Sequence, residues 1–101
     1  MKTSQTKVIF RRFHNGEVIA LFPQLAGTMD AFTCLSYQTI GQHGSASVDL
    51  THCTRLAKAD EYAELSAELR RLGYDLHVAR RFTSADLAER RTQITPSAPI
   101  T

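Results

Sequence analysis

Eight of the nine arginines in this chain stand in four adjacent pairs: Arg11-Arg12, Arg70-Arg71, Arg80-Arg81 and Arg90-Arg91. Guanidinium forks match the oxygen geometry of phosphate, so pairs repeated over a small domain point to phosphate recognition. The four pairs are not equivalent. Arg70-Arg71 falls in the last turn of an expected helix, where the helix dipole and a Glu68–Arg71 pair already account for it. Arg11 and Arg12 lie in an expected strand, so they point to opposite faces, each among apolar neighbours. Arg80-Arg81 closes a strand and Arg90-Arg91 follows in the last helix, which lets the two pairs converge on one edge. Asp86 and Glu89 are near enough in sequence to offset Arg90. The expected phosphate-contacting set is Arg11, Arg12, Arg80, Arg81, Arg90 and Arg91.

His43 stands between glycines in Gly41-Gln42-His43-Gly44. A glycine-flanked loop lets backbone approach a ligand closely, so Gln42 and His43 form a candidate ligand loop. No nucleophile or carboxylate can be placed beside it from spacing. Cys34, His43, His52 and Cys53 are zinc-type ligands, but their spacing fits no familiar knuckle, and neighbours such as His52 and Cys53 point apart in extended chain. There is no glycine-rich phosphate loop, His-Glu-x-x-His run or nucleophile elbow. The expectation is a non-enzyme without metal or cofactor.

The elements that must position these residues are legible from pattern. Val8–Phe13 and Glu17–Phe22 flank Asn15-Gly16, the preferred pair for a two-residue type I′ turn with both residues at positive φ. That register pairs Phe13 with Val18, Arg11 with Ala20 and Ile9 with Phe22. It puts those six residues on one face and Phe10, Arg12, Ile19 and Leu21 on the other. Both faces are then partly apolar, whereas a half-exposed hairpin alternates cleanly. One face is for the chain's own helix. The other calls for a second copy, so a homodimer is expected, with fold-back of the C-terminal helix as the alternative.

Pro23 is expected to end the hairpin and residues 24–31 to form a loop. A third strand runs over Phe32–Ile40, Gly41–Ser45 is a loop, and Ala46–Thr51 is a short strand. Ala59–Leu72 is the clearest helix, with Tyr62, Leu65, Leu69 and Leu72 on one stripe, acids at its start and Gly73 after it. Tyr74–Phe82 alternates as a half-buried strand, and Thr83 with Asp86 marks the start of a short helix from Ser84 to about Gln93. The order is β-β-β-(β)-α-β-α: an α+β domain over residues 7–93 with a mainly antiparallel sheet. Residues 1–6 and 94–101 are expected to be flexible ends.

Bulk properties narrow the classes further. The 101 residues carry 43% apolar and 22% charged side chains, as a single globular domain does. The net charge of +2 rules against polyelectrolyte-style binding, so a nucleic-acid role must rest on where charge sits. The longest apolar run, Val18–Phe22, is far too short for a membrane span or signal peptide, and two cysteines make no disulfide framework; a cytoplasmic protein is expected.

Val8-Ile9-Phe10-Arg11, Glu17–Pro23, Ser36-Tyr37, Gly41–Gly44, Glu61–Leu65 and Leu72-Gly73-Tyr74 together give a resemblance. From about residue 7 to Phe82 the chain is similar to small uncharacterised bacterial proteins carried on plasmids, prophages and other mobile elements. The resemblance implies an accessory protein of mobile DNA and lends no catalytic residues. The expected function is therefore nucleic-acid binding, to DNA rather than RNA, by a homodimer. The alternative is a protein-interaction module silent toward nucleic acid.

Overall fold

The computed structural model describes residues 5–38 and 42–94; for Gln42 it describes the backbone alone. The elements are β1 (Thr6–Arg12), β2 (Val18–Ala26), β3 (Thr33–Gln38), β4 (Gln42–Ser47), a 3-10 turn (Val48–His52), β5 (Arg55–Leu56), α1 (Ala59–Arg71), β6 (Leu76–Val78) and α2 (Ser84–Ile94). This is an α+β fold on a mainly antiparallel six-stranded sheet. The spatial order is β4-β3-β2-β1, and β5 and β6 share the outer edge of β1. β5 lies antiparallel to Arg11–Arg12, whereas β6 lies parallel to Thr6–Val8. The reversal follows from α1. Its 13 residues rise about 20 Å at 1.5 Å each, roughly the length of β1, so the chain returns to the start of β1 before β6 sets off alongside it.

The β1–β2 turn is one residue longer than expected. Gly16 N–H donates to Phe13 O at 3.0 Å and Phe13 N–H to Glu17 O at 2.8 Å. Gly16 has φ +94°, while no non-glycine residue among those described has positive φ. This is a type I turn closed by a glycine bulge, not a type I′ turn. Asn15 stays out of the left-handed region, and its Oδ1 accepts from Glu17 N–H at 3.0 Å. The extra residue shifts the register to Ile9↔Leu21, Phe10↔Ala20, Arg11↔Ile19 and Arg12↔Val18. Because side chains alternate with period two, that slip re-sorts the faces.

Val8, Phe10, Ala20 and Phe22 now share the face on which Leu65 and Leu69 of α1 pack, with Tyr37 and Leu76 completing the cluster. Ile9, Ile19, Leu21 and Cys34 form the second face. That face is closed by the chain itself. Leu50 of the 3-10 turn and Phe82 pack on it, and α2 lies against β2 with Asp86 reaching Lys7, which shares the strand face of Ile9. Ile9 and Leu21 are fully buried in one chain. The uncovered face from which a homodimer was expected is therefore absent, and the fold-back of the C-terminal helix takes its place.

Other boundaries move for physical reasons. β2 runs past Pro23 to Ala26 through an irregular register. Residues 42–45, expected as loop, are strand, because the open edge of β3 takes them as a partner: Tyr37↔His43, Ser36↔Gly44, Leu35↔Ser45. Residues 48–51, expected as strand, curl into the 3-10 turn, which Ser47 Oγ caps by accepting from Asp49 N–H at 3.1 Å. The half-buried strand expected over Tyr74–Phe82 is confined to Leu76–Val78. Strand begins at Thr6, inside the expected flexible N-terminus; the ends 1–4 and 95–101, and positions 39–41, lie outside the described residues.

Candidate nucleic-acid interface

The six expected arginines meet very different fates. Arg11 and Arg12 do take opposite faces. Arg11 donates through Nε to Thr54 Oγ1 at 2.9 Å and through Nη2 to Thr51 O at 2.9 Å, and it also bonds Thr54 O. It ties the segment after the 3-10 turn to β1, and its partial burial pulls its pKa below the ordinary arginine value. Arg12 sits on the α1 side, with Nη1 at 3.1 Å from Glu61 Oε2.

Arg90 corrects the expectation outright. It is 3% exposed. Nη1 donates to Pro23 O at 2.6 Å and Nε to Ala31 O at 2.9 Å, and the guanidinium lies over the Phe82 ring at 5.6 Å from its centroid. Two of its donors are used on backbone carbonyls inside the protein, so Arg90 holds α2 to β2 and the β2–β3 connection. Asp86, expected to offset Arg90, is buried and pairs with Lys7 Nζ at 2.6 Å. Arg91 is exposed on α2.

Arg80 and Arg81 differ from these. Both are exposed in the connection between β6 and α2, and neither makes a hydrogen bond, ion pair or ring contact among the described residues. Two clefts meet at this connection. One, of about 500 Å³ between the ends of β5 and β6, is lined by Phe10, Lys58, Tyr62, Val78 and Arg80 among others. Its floor includes the Phe10 and Tyr62 rings, stacked 4.2 Å apart and within 10° of parallel. The other, of about 680 Å³, is lined by Lys7, His77, Arg80, Arg81 and Asp86 among others. Its one carboxylate is held by Lys7. Arg80 thus stands on the shared rim of two open clefts. Lys58 and His77 join it, and sequence reasoning missed both: His77 is three residues from Arg80, while the approach of Lys58 depends on β5 and β6 sharing one edge of β1.

The candidate ligand loop dissolves. His43 is on β4, with Nε2 2.8 Å from Tyr74 Oη and its ring edge-on to Tyr37 at 4.7 Å. Tyr37 Oη donates to Glu68 Oε2. That hydrogen bond, followed by burial, raises the Tyr37 pKa, and burial raises that of Tyr74. Gln42 pairs through its backbone with Gln38. A carboxylate does therefore stand near His43, through Tyr37, which spacing could not reveal.

Cys34 is buried, and burial pushes its thiol up to about 11, against the opposing influence of Arg90 and a backbone hydrogen bond at Phe22. It is an inert core thiol. No group of three or more His, Cys, Asp or Glu side chains is placed to hold a metal ion among the described residues. No helix among the described residues is long and apolar enough to cross a membrane.

Comparison of the chain with protein-family models, curated proteins and solved structures finds no match.

Proposed function

We propose that the chain binds nucleic acid, with DNA as the ligand, through phosphate contacts centred on Arg80 and Arg81. The observation that carries this reading is the pair itself: two adjacent guanidiniums, exposed and uncommitted to the fold, at the junction of two clefts. Neither guanidinium has an internal acid partner among the described residues, whereas Arg12 and Arg55 share Glu61. Lys58 adds a second cation beside Arg80, His77 adds a ring N–H, and the half-buried Tyr62, backed by the buried Phe10 ring, lines the neighbouring cleft. The resemblance to mobile-element proteins favours an accessory or regulatory role.

A single chain offers few phosphate contacts, so we propose that it acts as a homodimer presenting this face twice, as two-fold DNA binders do. The open edge of β4 suits such pairing. It ends the sheet, it is six residues long, and Gln42–Ser47 contains neither lysine nor proline to guard it.

Fluorescence anisotropy with labelled duplex DNA over a range of salt concentrations tests the reading. Binding should weaken with salt by a log–log slope of about −0.9 for each phosphate contact. Arg80→Ala with Arg81→Ala should lower that slope by about two per chain. Salt-insensitive binding, or binding unchanged in the double variant, overturns it. No binding even at low salt turns attention to the protein-interaction reading. That reading has its own observation: Met29 and Phe32, 74% and 57% exposed, share the β2–β3 connection.

A further inference from the structure

A third cavity lies away from the Arg80–Arg81 face, where the β1–β2 turn comes down on the segment after the 3-10 turn. It is an open cleft of about 300 Å³, and its wall includes Arg12, Phe13, His14, His52, Cys53 and Arg55. The wall combines side chains from two segments some forty residues apart in sequence, brought together by β5 pairing with the end of β1: Arg12↔Arg55 and Arg11↔Leu56.

The charge balance of this wall is unusual. Arg12 and Arg55 share a single counter-ion. Glu61 Oε2 takes Arg12 Nη1 at 3.1 Å and Arg55 Nη2 at 2.7 Å, while Oε1 takes Arg55 Nη1 at 2.9 Å. Arg55 Nη1 also donates to Leu56 O at 2.9 Å, which leaves the second Nη2 hydrogen and Nε of Arg55 for a ligand. One carboxylate against two guanidiniums leaves a full positive charge over, and Arg11 stands behind it on β1. Arg12 Nη2 makes no hydrogen bond among the described residues. His14 and His52 add ring N–H donors on exposed backbone. Glu61 grips both arginines from outside the cavity wall, and so restrains the forks before any ligand arrives.

We propose that this cavity is an anion site for a phosphomonoester group. A terminal phosphate carries two negative charges and three free oxygens, enough to engage Arg12, Arg55 and the two imidazoles together. A phosphodiester, substituted on both sides, cannot enter end-on. The group has two sources with the same chemistry: a small phosphate ester, or the 5′-phosphate end of a nucleic-acid strand. The inference does not depend on the Arg80–Arg81 face, with which this cavity shares no lining residue.

Cys53 supplies a reporter, since it lines the cavity and is exposed while Cys34 is buried. The experiment follows the alkylation rate of Cys53 and the imidazole NMR signals of His14 and His52 on the full chain. Inorganic phosphate is titrated against potassium chloride of matched ionic strength. Phosphate should slow alkylation and shift both histidines. Arg12→Gln with Arg55→Gln should weaken phosphate by about ten-fold or more, the worth of one charge-assisted hydrogen bond. His14→Gln with His52→Gln, on exposed turns, should weaken it without touching the Glu61 cluster. Arg80→Ala with Arg81→Ala should leave it unchanged, whatever happens to DNA binding. A 5′-phosphorylated oligonucleotide that outcompetes its 5′-hydroxyl counterpart assigns the group to a strand end; ribose 5-phosphate binding with no such preference assigns it to a small ester. Absence of protection and of shifts at millimolar phosphate, or effects that persist in both the arginine and the histidine variants, overturns the proposal.

Discussion

Two arginines ten positions apart in the same stretch of chain do opposite work. Arg90 is an internal tie and Arg80 an exposed cation. Arg90→Ala removes the guanidinium donor from the buried Pro23 O and the half-buried Ala31 O and empties the space over Phe82, so it should cost about 3 kcal/mol of stability; urea unfolding measures it. Arg80→Ala should change stability by less than about 0.5 kcal/mol. The acids give a pH prediction. Glu61 is lowered from its ordinary 4.5 to about 2, first by the Arg55 hydrogen bond and then by Lys58 N–H. Burial works against the charged form of Asp86, but Lys7, Thr83 N–H and Gln24 outweigh it and hold its carboxyl below the usual range. Both groups have folded pKa values below their unfolded ones. Their contribution is therefore fully present above about pH 5 and drains away as pH falls toward Glu61's value of about 2. Urea midpoints measured between neutral pH and about pH 3 should fall for the wild type, and Glu61→Gln should flatten that fall. At this scale the arginine pairs are plain in the sequence. Which member of a pair is buried is not, because it depends on carbonyls contributed by Pro23 and Ala31, far off in sequence.

At the scale of elements, the hairpin, α1 and α2 are legible because their signals are local: Asn15-Gly16, the Tyr62–Leu65–Leu69 stripe, and Thr83 with Asp86. The hairpin register was not, since a type I turn with a glycine bulge and a type I′ turn use the same dipeptide and differ by one residue. Gly16→Ala forces φ +94° on a residue with a Cβ, which would also stand 3.1 Å from Arg12 Nη2; a loss of about 1 kcal/mol is expected. Two other glycines separate by packing alone. A Cβ at Gly27 would meet Cys34 O at 2.5 Å and Ser45 Cβ at 2.7 Å, so backbone must move. Gly27→Ala should cost about 2–3 kcal/mol. Gly44→Ala places its Cβ 3.7 Å from Ser36 Oγ and should be nearly neutral. Thermal unfolding of the pair distinguishes them, and equal losses would contradict the β2–β3–β4 register.

For the molecule as a whole, the question is what a second copy would gain. Both apolar faces of the sheet are closed within one chain, so neither face drives a dimer. In the proposed dimer the backbone edge of β4, which ends the sheet, takes that part. Light scattering should give twice the chain mass of 11.3 kDa. Ser45→Lys with Ser47→Lys, placing lysines on the exposed positions of that edge, should return the protein to a monomer with an unchanged circular dichroism spectrum. A wild-type monomer at all concentrations would remove the dimer and leave the Arg80–Arg81 face to act singly.

Composition and periodicity by themselves determined the class of this protein: an α+β domain with a mainly antiparallel sheet, a stripe-faced helix and a second helix after it. These follow from short-range physics, since turn chemistry and side-chain spacing act within a few residues. Which of the arginines bears on a site, and beside which neighbours, was decided by the tertiary structure. That β5 and β6 divide one edge of β1 brings Lys58 to Arg80 and Arg12 to Arg55. That α2 folds over the second face buries Arg90 and Asp86. Each depends on which strand edges and apolar faces remain open once the rest of the chain has packed, a condition that no local stretch of sequence records.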